Sequence, residues 1–310
     1  MEKMTKEEFE EVVKSERKLI FKPAYDCVYD VYDNLGYLQK DDSFFKQNAS
    51  MIIETVRKQC WDNFTPLEKE FTSNMLEKLI DEKKITSMSS VQAVKWFAST
   101  YPEHIYSLSL SNTQSRRSRA GKEFEAIIEI LLAGAHVMYE SQGNIGKKAF
   151  EEKGLGKLVD VVIPNSVGFK INKFNSVLIS AKTTLRERWQ EVPEEMGRTG
   201  AGIMYLATLD PKISDDIIKT LYEANIQLVT TKSNKDTNYN NSNSVLTFEE
   251  LLSNSESVIM KWQTYSFTEE ENQERINSLN KAIKKHTNHP FIRQYFETIV
   301  EEIINKKADA

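Results

Sequence analysis

Long apolar runs are missing from this 310-residue sequence: no stretch of about 18 uncharged apolar residues occurs, which argues against a membrane-spanning helix. Cysteine is scarce. Cys27 and Cys60 form no CxxC or Cys/His spacing, which argues against structural zinc and a disulfide and favours reduced, buried thiols. Of four histidines, His286 and His289 fall in KKHTNHP without a metal-site spacing and read as loop or helix-end residues. No internal repeat is visible. An excess of positive charge is also missing: 41 Lys and Arg stand against 46 Asp and Glu, a net charge of −5 that on its face argues against a nucleic-acid partner. The opening MEKMTKEEFEE is acidic and does not read as a signal peptide, so a cytosolic protein is expected. With 40% hydrophobic and 28% charged residues, the chain is an ordinary globular one, long enough for a substantial core.

The basic residues that are present cluster. Gln114-Ser115-Arg116-Arg117-Ser118-Arg119-Ala120-Gly121-Lys122 carries four cations in seven residues, and Arg186 and Arg188 form a second concentration. Such clusters can supply a local positive groove while acidic helices elsewhere limit non-specific DNA binding.

The first hundred residues read as helices. Thr5 is a candidate N-cap, Pro23 opens a helix to about Leu38, and 41–64 gives a third. Thr65-Pro66-Leu67-Glu68 reads as a capping box opening a fourth, and Ser90 as the cap of a short fifth. Residues 118–135 read as a long helix with an apolar side of Phe124, Ile127, Ile128, Leu131 and Leu132. Strands are expected at 136–141, 158–163, 176–182, 203–209 and 227–231, with a helix over 213–224. The asparagine-rich 232–244 reads as a surface loop, and helices at about 247–263, 268–286 and 290–306 close the chain. Strands alternating with helices imply an α/β core. Its central sheet is mixed, because the strands near 158–182 look like a hairpin.

One stretch, 156–195, organises the rest. Asp160 sits among valines, and Lys182 ends the otherwise apolar SVLISAK. A charge in such a run must be paired, metal-bound or chemically employed, because burying it alone costs several kcal/mol. Alternation along a strand puts Ser180 and Lys182 on one face, which Asp160 can share from the neighbouring strand. Glu195 follows on a helix. Two acids and a lysine so arranged suit metal-assisted phosphodiester hydrolysis: Asp160 and Glu195 as ligands of a hard cation, Lys182 as the assistant. Glu194 and Glu191 are alternatives for the second acid, and a structural ion pair is the bland reading of the same residues.

SAK followed by Arg186-Glu187-Arg188 resembles the PD-(D/E)xK type II restriction endonucleases that read CCGG, CCNGG or CCWGG, the SsoII-type branch above all, related to EcoRII and NgoMIV. The resemblance implies a restriction-endonuclease-like core, a mixed sheet flanked by helices with further helices at both ends. It also implies Mg²⁺-dependent double-strand cutting before the first C of CCNGG. Ser180 takes the place of the usual acid, and the carboxylate comes instead from the following helix, which fits Glu195. SRAGKEFE resembles the SRAGK-x-x-E stretch of these relatives and implies a further catalytic acid at Glu125, with Glu123 second. Gln114 matches a minor-groove glutamine, while Arg116, Arg117, Arg119 and Lys122 would meet phosphates. Arg186, Glu187 and Arg188 have the donor and acceptor types that a C·G-rich site requires. Arg57 and Trp61, one helical turn apart, can be a covered surface tryptophan. In the resembling family, such a pair would sandwich a flipped central base.

The expected organisation is a helical part, 1–112, for DNA contact and dimerisation, and a nuclease core with C-terminal helices, 113–310, packed as one compact unit. A palindromic site implies a homodimer on double-stranded DNA. A cognate DNA methyltransferase would protect the host's own DNA, and the setting would be the bacterial cytoplasm, away from any membrane. Two other classes stay open: an inactive sequence-specific DNA-binding protein on the same fold, and a helical interaction protein with a structural ion-pair cluster.

Overall fold

A computed structural model describes residues 4–240 and 242–308, without the side chains of 187, 307 and 308. The helical first part comprises α1 (Lys6–Ile20), α2 (Ala24–Asn34), α3 (Asp42–Gln47), α4 (Ala49–Glu77), α5 (Glu82–Ile85), α6 (Ser90–Thr100) and α7 (Pro102–Gly134). Then come β1 (Glu140–Ser141), α8 (Gln142–Ile145), α9 (Lys147–Glu152), β2 (Val161–Ile163), α10 (Ser166–Ile171), β3 (Val177–Lys182) and α11 (Glu191–Thr199). The chain continues through β4 (Met204–Thr208), α12 (Asp215–Glu223), β5 (Ile226–Thr230), α13 (Lys232–Asn238) and β6 (Val245–Thr247) to α14 (Phe248–Trp262), α15 (Glu269–Lys285) and α16 (Pro290–Ala308). None of the described helices is long and apolar enough to cross a membrane.

The chain divides into two compact units, Met1–Cys27 with Lys58–Glu123, and Val28–Arg57 with Phe124–Ala310, so α4 and α7 each belong partly to both. The smaller unit is built on the cluster Phe9, Val13, Phe71, Met75, Leu79, Tyr101 and Leu108. Thr5 caps α1 as expected, its hydroxyl taking the Glu8 N–H while the Glu8 carboxylate takes the Thr5 N–H. Ser89, one residue before the expected Ser90, does the same for α6 with Gln92.

The Thr65-Pro66 capping box is not a helix start. Pro66 lies inside α4, and the Thr65 hydroxyl donates instead to the Trp61 carbonyl. The helix continues because Cys60, Phe64, Phe71 and Met75 extend one buried stripe across it. Burying those side chains, at about 1.5–3 kcal/mol each, outweighs the ~3 kcal/mol that an interior proline costs.

The larger unit holds one six-stranded sheet in the order β1-β2-β3-β4-β5-β6. The β1–β2 and β2–β3 pairings are antiparallel, and β3 to β6 run parallel, giving the mixed sheet that the strand pattern implied. Val162, Leu178, Met204, Leu206 and Leu228 line one side of its core with Val192 and Met196 of α11 and Leu221 of α12. β2 and β3 pair antiparallel, as the hairpin reading expects, and their connection includes the short helix α10, which Asn165 caps by accepting the Gly168 N–H. The strand expected at 136–141 shrinks to two residues, since the end of α7 is closed by the Val137 N–H on the Leu132 carbonyl. Part of the expected loop 232–244 is helical, as α13: Thr237 donates to the Ser233 carbonyl and Asn238 to the Asn234 side chain, so these polar residues support the helix turn by turn.

A candidate nuclease active site at the end of the sheet

Asp160 immediately precedes β2. Its N–H donates to the Ile179 carbonyl and its carbonyl accepts the Gln142 N–H, both at 2.9 Å, so its backbone is held from both sides. Val161 pairs with Ile179, and continuing that register by one residue sets Asp160 opposite Ser180, on the face that Lys182 shares. The side chains meet: Asp160 Oδ2 accepts the Lys182 ammonium at 3.0 Å and the Ala181 N–H at 2.6 Å. Only 13% of the Asp160 side chain and 14% of that of Lys182 are exposed. Burial pushes the Asp160 carboxyl above its usual range, while the Lys182 ammonium and the Ala181 N–H pull it back. The hydroxyl of Ser180, itself fully buried, finds no partner among the described residues.

Of the three acids on α11, Glu195 is the buried one, 3% exposed. Glu194 points outward and pairs with Arg198, and Glu191 is exposed. Glu195 Oε1 accepts the Leu158 N–H at 3.0 Å, and Oε2 lies 3.5 Å from Arg198. Glu125 is half-buried on α7. Glu123 pairs with Arg119 at 2.6 Å. The sequence reading missed Glu129, one turn beyond Glu125. It is buried, its Oε2 has no hydrogen-bond partner among the described residues, and burial pushes its carboxyl up, opposed by Lys285 and the Ser141 hydroxyl and reinforced by the charge of Asp160. An acid inside the run IIEILL was the available signal.

Asp160, Glu195 and the Ser180 hydroxyl offer oxygen atoms, the ligand type a hard divalent cation takes, whereas the Lys182 ammonium cannot itself ligate a metal. Among the described residues, no group of three or more His, Cys, Asp or Glu side chains converges as a metal site.

Past Lys182 the chain turns into a short 3₁₀ helix, Arg186–Gln190, rather than directly into an α-helix. Arg186 and Arg188 are exposed, and the Arg188 guanidinium donates to the Thr184 carbonyl. The side chain of Glu187 lies outside the described residues. Arg57 and Trp61 lie one turn apart on α4, with Trp61 half exposed and its ring 6.0 Å from that of Phe64. Gln114, Arg117 and Lys122 are exposed on α7. Arg116 forms an ion pair with the buried Glu68, and Arg119 also donates to Cys27 Sγ, so both arginines have internal partners. His286 caps the end of α15 and His289 directly precedes α16, the helix-end positions expected of them, and both are buried: their rings meet at 3.2 Å, and His286 Nε2 lies 2.8 Å from Asn144 Oδ1.

Comparison with known proteins finds relatives that match nearly the whole chain. Residues 75–252 match the family described as EcoRII C terminal. The type II restriction enzyme SsoII of Shigella sonnei is 49% identical over 296 residues, 96% of this chain and 97% of that enzyme. Two structures of metal-depleted Ecl18kI, one with uncleaved DNA and one with uncleaved, modified DNA, superimpose with a TM-score of 0.91 at 47% identity, covering 96% of this chain and 99% of theirs. A PspGI–substrate DNA complex, at 16% identity and a TM-score of 0.58 over 78% of this chain and 94% of its own, shares the fold. Enzymes of this kind generally work with a divalent metal. A mixed sheet with an Asp–Lys pair at its end, and a relative identical at about half of all positions, lead to one conclusion: the chain belongs to the EcoRII C-terminal family of type II restriction endonucleases.

Proposed function

We propose that this endonuclease makes Mg²⁺-dependent double-strand cuts before the first C of CCNGG, as a homodimer on double-stranded DNA, with the central nucleotides flipped out. The observation that carries the reading is the buried contact of Asp160 with Lys182 beside Ala181, in a chain 49% identical to SsoII. Asp160 and Glu195 would hold the cation through carboxylate oxygens, with Glu125 as a further acid of the site. Held there, the cation would supply Lewis acidity toward the scissile phosphate and a bound water. Lys182 keeps one proton donor at the phosphate, offsetting negative charge as it develops. Arg186 and Arg188 would donate in pairs to guanine edges and Glu187 accept from cytosine, each good pair discriminating by about 1–3 kcal/mol. Gln114 would enter the minor groove, and Arg116, Arg117, Arg119 and Lys122 would contact phosphates once any internal ion pair is exchanged. Arg57 and Trp61 would sandwich the flipped base, reading its flatness and not its identity. The enzyme would act in the bacterial cytoplasm, with a cognate methyltransferase protecting host DNA.

Incubating the protein with plasmid DNA of known sequence and Mg²⁺, then sequencing the ends, tests this. Five-base 5′ overhangs at CCNGG support it. Specific binding without cutting would mean an inactive DNA-binding protein, and neither binding nor cutting would return the ion pair to a purely structural role.

A further inference from the structure

The parallel strands β3, β4 and β5 end side by side, with Lys182 opposite Thr208 and Ala207 opposite Val229. Two residues past β4, Asp210 is anchored through both of its backbone polar groups. Its N–H donates to the Thr208 hydroxyl at 3.2 Å, and its carbonyl accepts the Asn234 side-chain amide at 2.9 Å. Asn234 is itself fixed, donating to the Thr230 hydroxyl at 2.7 Å and accepting from Asn238 at 2.8 Å. Held in this way, Asp210 directs its carboxylate to the N–H of Leu185, with Oδ2 at 2.5 Å.

That N–H belongs to the residue at which the chain has left β3 and no ladder partner remains for it. Its acceptor matters because the very next residue is strained. Arg186 adopts φ +43°, the left-handed region that a residue bearing a Cβ occupies only when its surroundings hold it there. The Leu185 side chain is buried in the sheet core, so the segment is gripped at Leu185 by apolar packing on one side and by Asp210 on the other.

We infer that Asp210 is a positioning residue for sequence discrimination: by fixing the Leu185 N–H it sets the strained turn that presents Arg186 and Arg188. The inference rests on the reading of Arg186-Glu187-Arg188 as the base reader. Bidentate contacts to a base edge tolerate errors of only about 0.5 Å or 10–20° in the supporting backbone. Without its acceptor the turn relaxes, and Arg186 and Arg188 lose the fixed backbone from which they are presented. Asp210 touches neither DNA nor the reacting phosphate in this scheme.

The test compares kcat and KM on the cognate site and on sites with one outer C·G pair replaced, for the parent protein, Asp210→Ala, Asp210→Asn, Asp210→Glu and Arg188→Ala, alongside amide hydrogen exchange at Leu185. In Asp210→Ala, discrimination, as the ratio of kcat/KM values, should fall by about tenfold, the scale of one lost charge-assisted hydrogen bond, and Leu185 exchange should rise by a similar factor. Asp210→Asn keeps an acceptor oxygen in place and should stay within about twofold of the parent on both readouts. Asp210→Glu keeps the charge but carries it one methylene too far, and should behave like the alanine variant, which also decides the matter if alanine prevents folding. Parent-like discrimination in Asp210→Glu, or an asparagine variant as poor as the glutamate one, would overturn the inference while Arg188→Ala still loses discrimination. Parent-like discrimination in Arg188→Ala would instead remove the reader assignment, and the inference with it.

Discussion

Glu195 accepts the N–H of Leu158 at 3.0 Å, so the buried acid of α11 grips the segment that enters Asp160 two residues later. The two carboxylates are thereby linked through a few backbone atoms. Gly156 makes this possible: its φ is +75°, and a Cβ there would fall 2.1 Å from Glu195 Oε1.

Gly156→Ala should therefore act directly on the Glu195 carboxylate. The backbone conformation alone should cost about 1–3 kcal/mol, and the displaced Glu195 carboxylate should slow cleavage beyond what the lost stability explains. Urea unfolding and single-turnover cleavage on the same preparation check this. Unchanged cleavage by a destabilised variant would separate Glu195 from the chemistry.

Lys182→Ala should reduce cleavage by about 10²–10³-fold or more while specific DNA binding survives, as gel-shift titration without divalent metal would show. Because Asp160 would lose one of its two donors while buried, stability should drop by about 1–3 kcal/mol. Retained turnover would take the lysine out of the mechanism.

Trp61 is half exposed, so Trp61→Ala should leave the melting temperature nearly unchanged. It should nevertheless quench the fluorescence gain of 2-aminopurine placed at the centre of CCNGG, because one stacking partner worth about 1–3 kcal/mol is gone. An identical signal with and without the indole would reduce Trp61 to a surface residue.

Acid should weaken the larger unit through His286. Burial first, and then the charges of Lys285 and His289, lower its pKa from 6.5 to about 3. Between those values the unfolded chain binds a proton that the folded chain refuses, so stability falls as the pH falls, by about 1.4 kcal/mol per unit from this group. Urea midpoints from pH 7 down to pH 4 should show the slope, and His286→Gln should flatten it.

The contact at the centre of the candidate site was legible in the sequence because alternation along a strand is a strong constraint. Once Asp160 and Lys182 were assigned to neighbouring strands, one register put them on a common face, and the hydrogen bond between them follows. Burial on one face of α11 likewise separates Glu195 from Glu194. What escaped depends on partners distant in the chain or on local polar bonding. Asp210 looks like any loop acid until Leu185 is brought to it from the next strand. Glu129 reads as an ordinary helix charge until Ser141 and Lys285 close over it. The asparagines of α13 carry no apolar pattern to announce a helix, and Pro66 announces an interruption that a continuous buried stripe overrides.

The outermost strands of the sheet, β1 and β6, are two and three residues long. Main-chain groups free to recruit a foreign strand are correspondingly few on either flank, and such stubs make poor templates for intermolecular pairing. A chain whose central strands are dense in valine, leucine and isoleucine thus carries its own protection against fibrous self-association when it is concentrated or briefly opened.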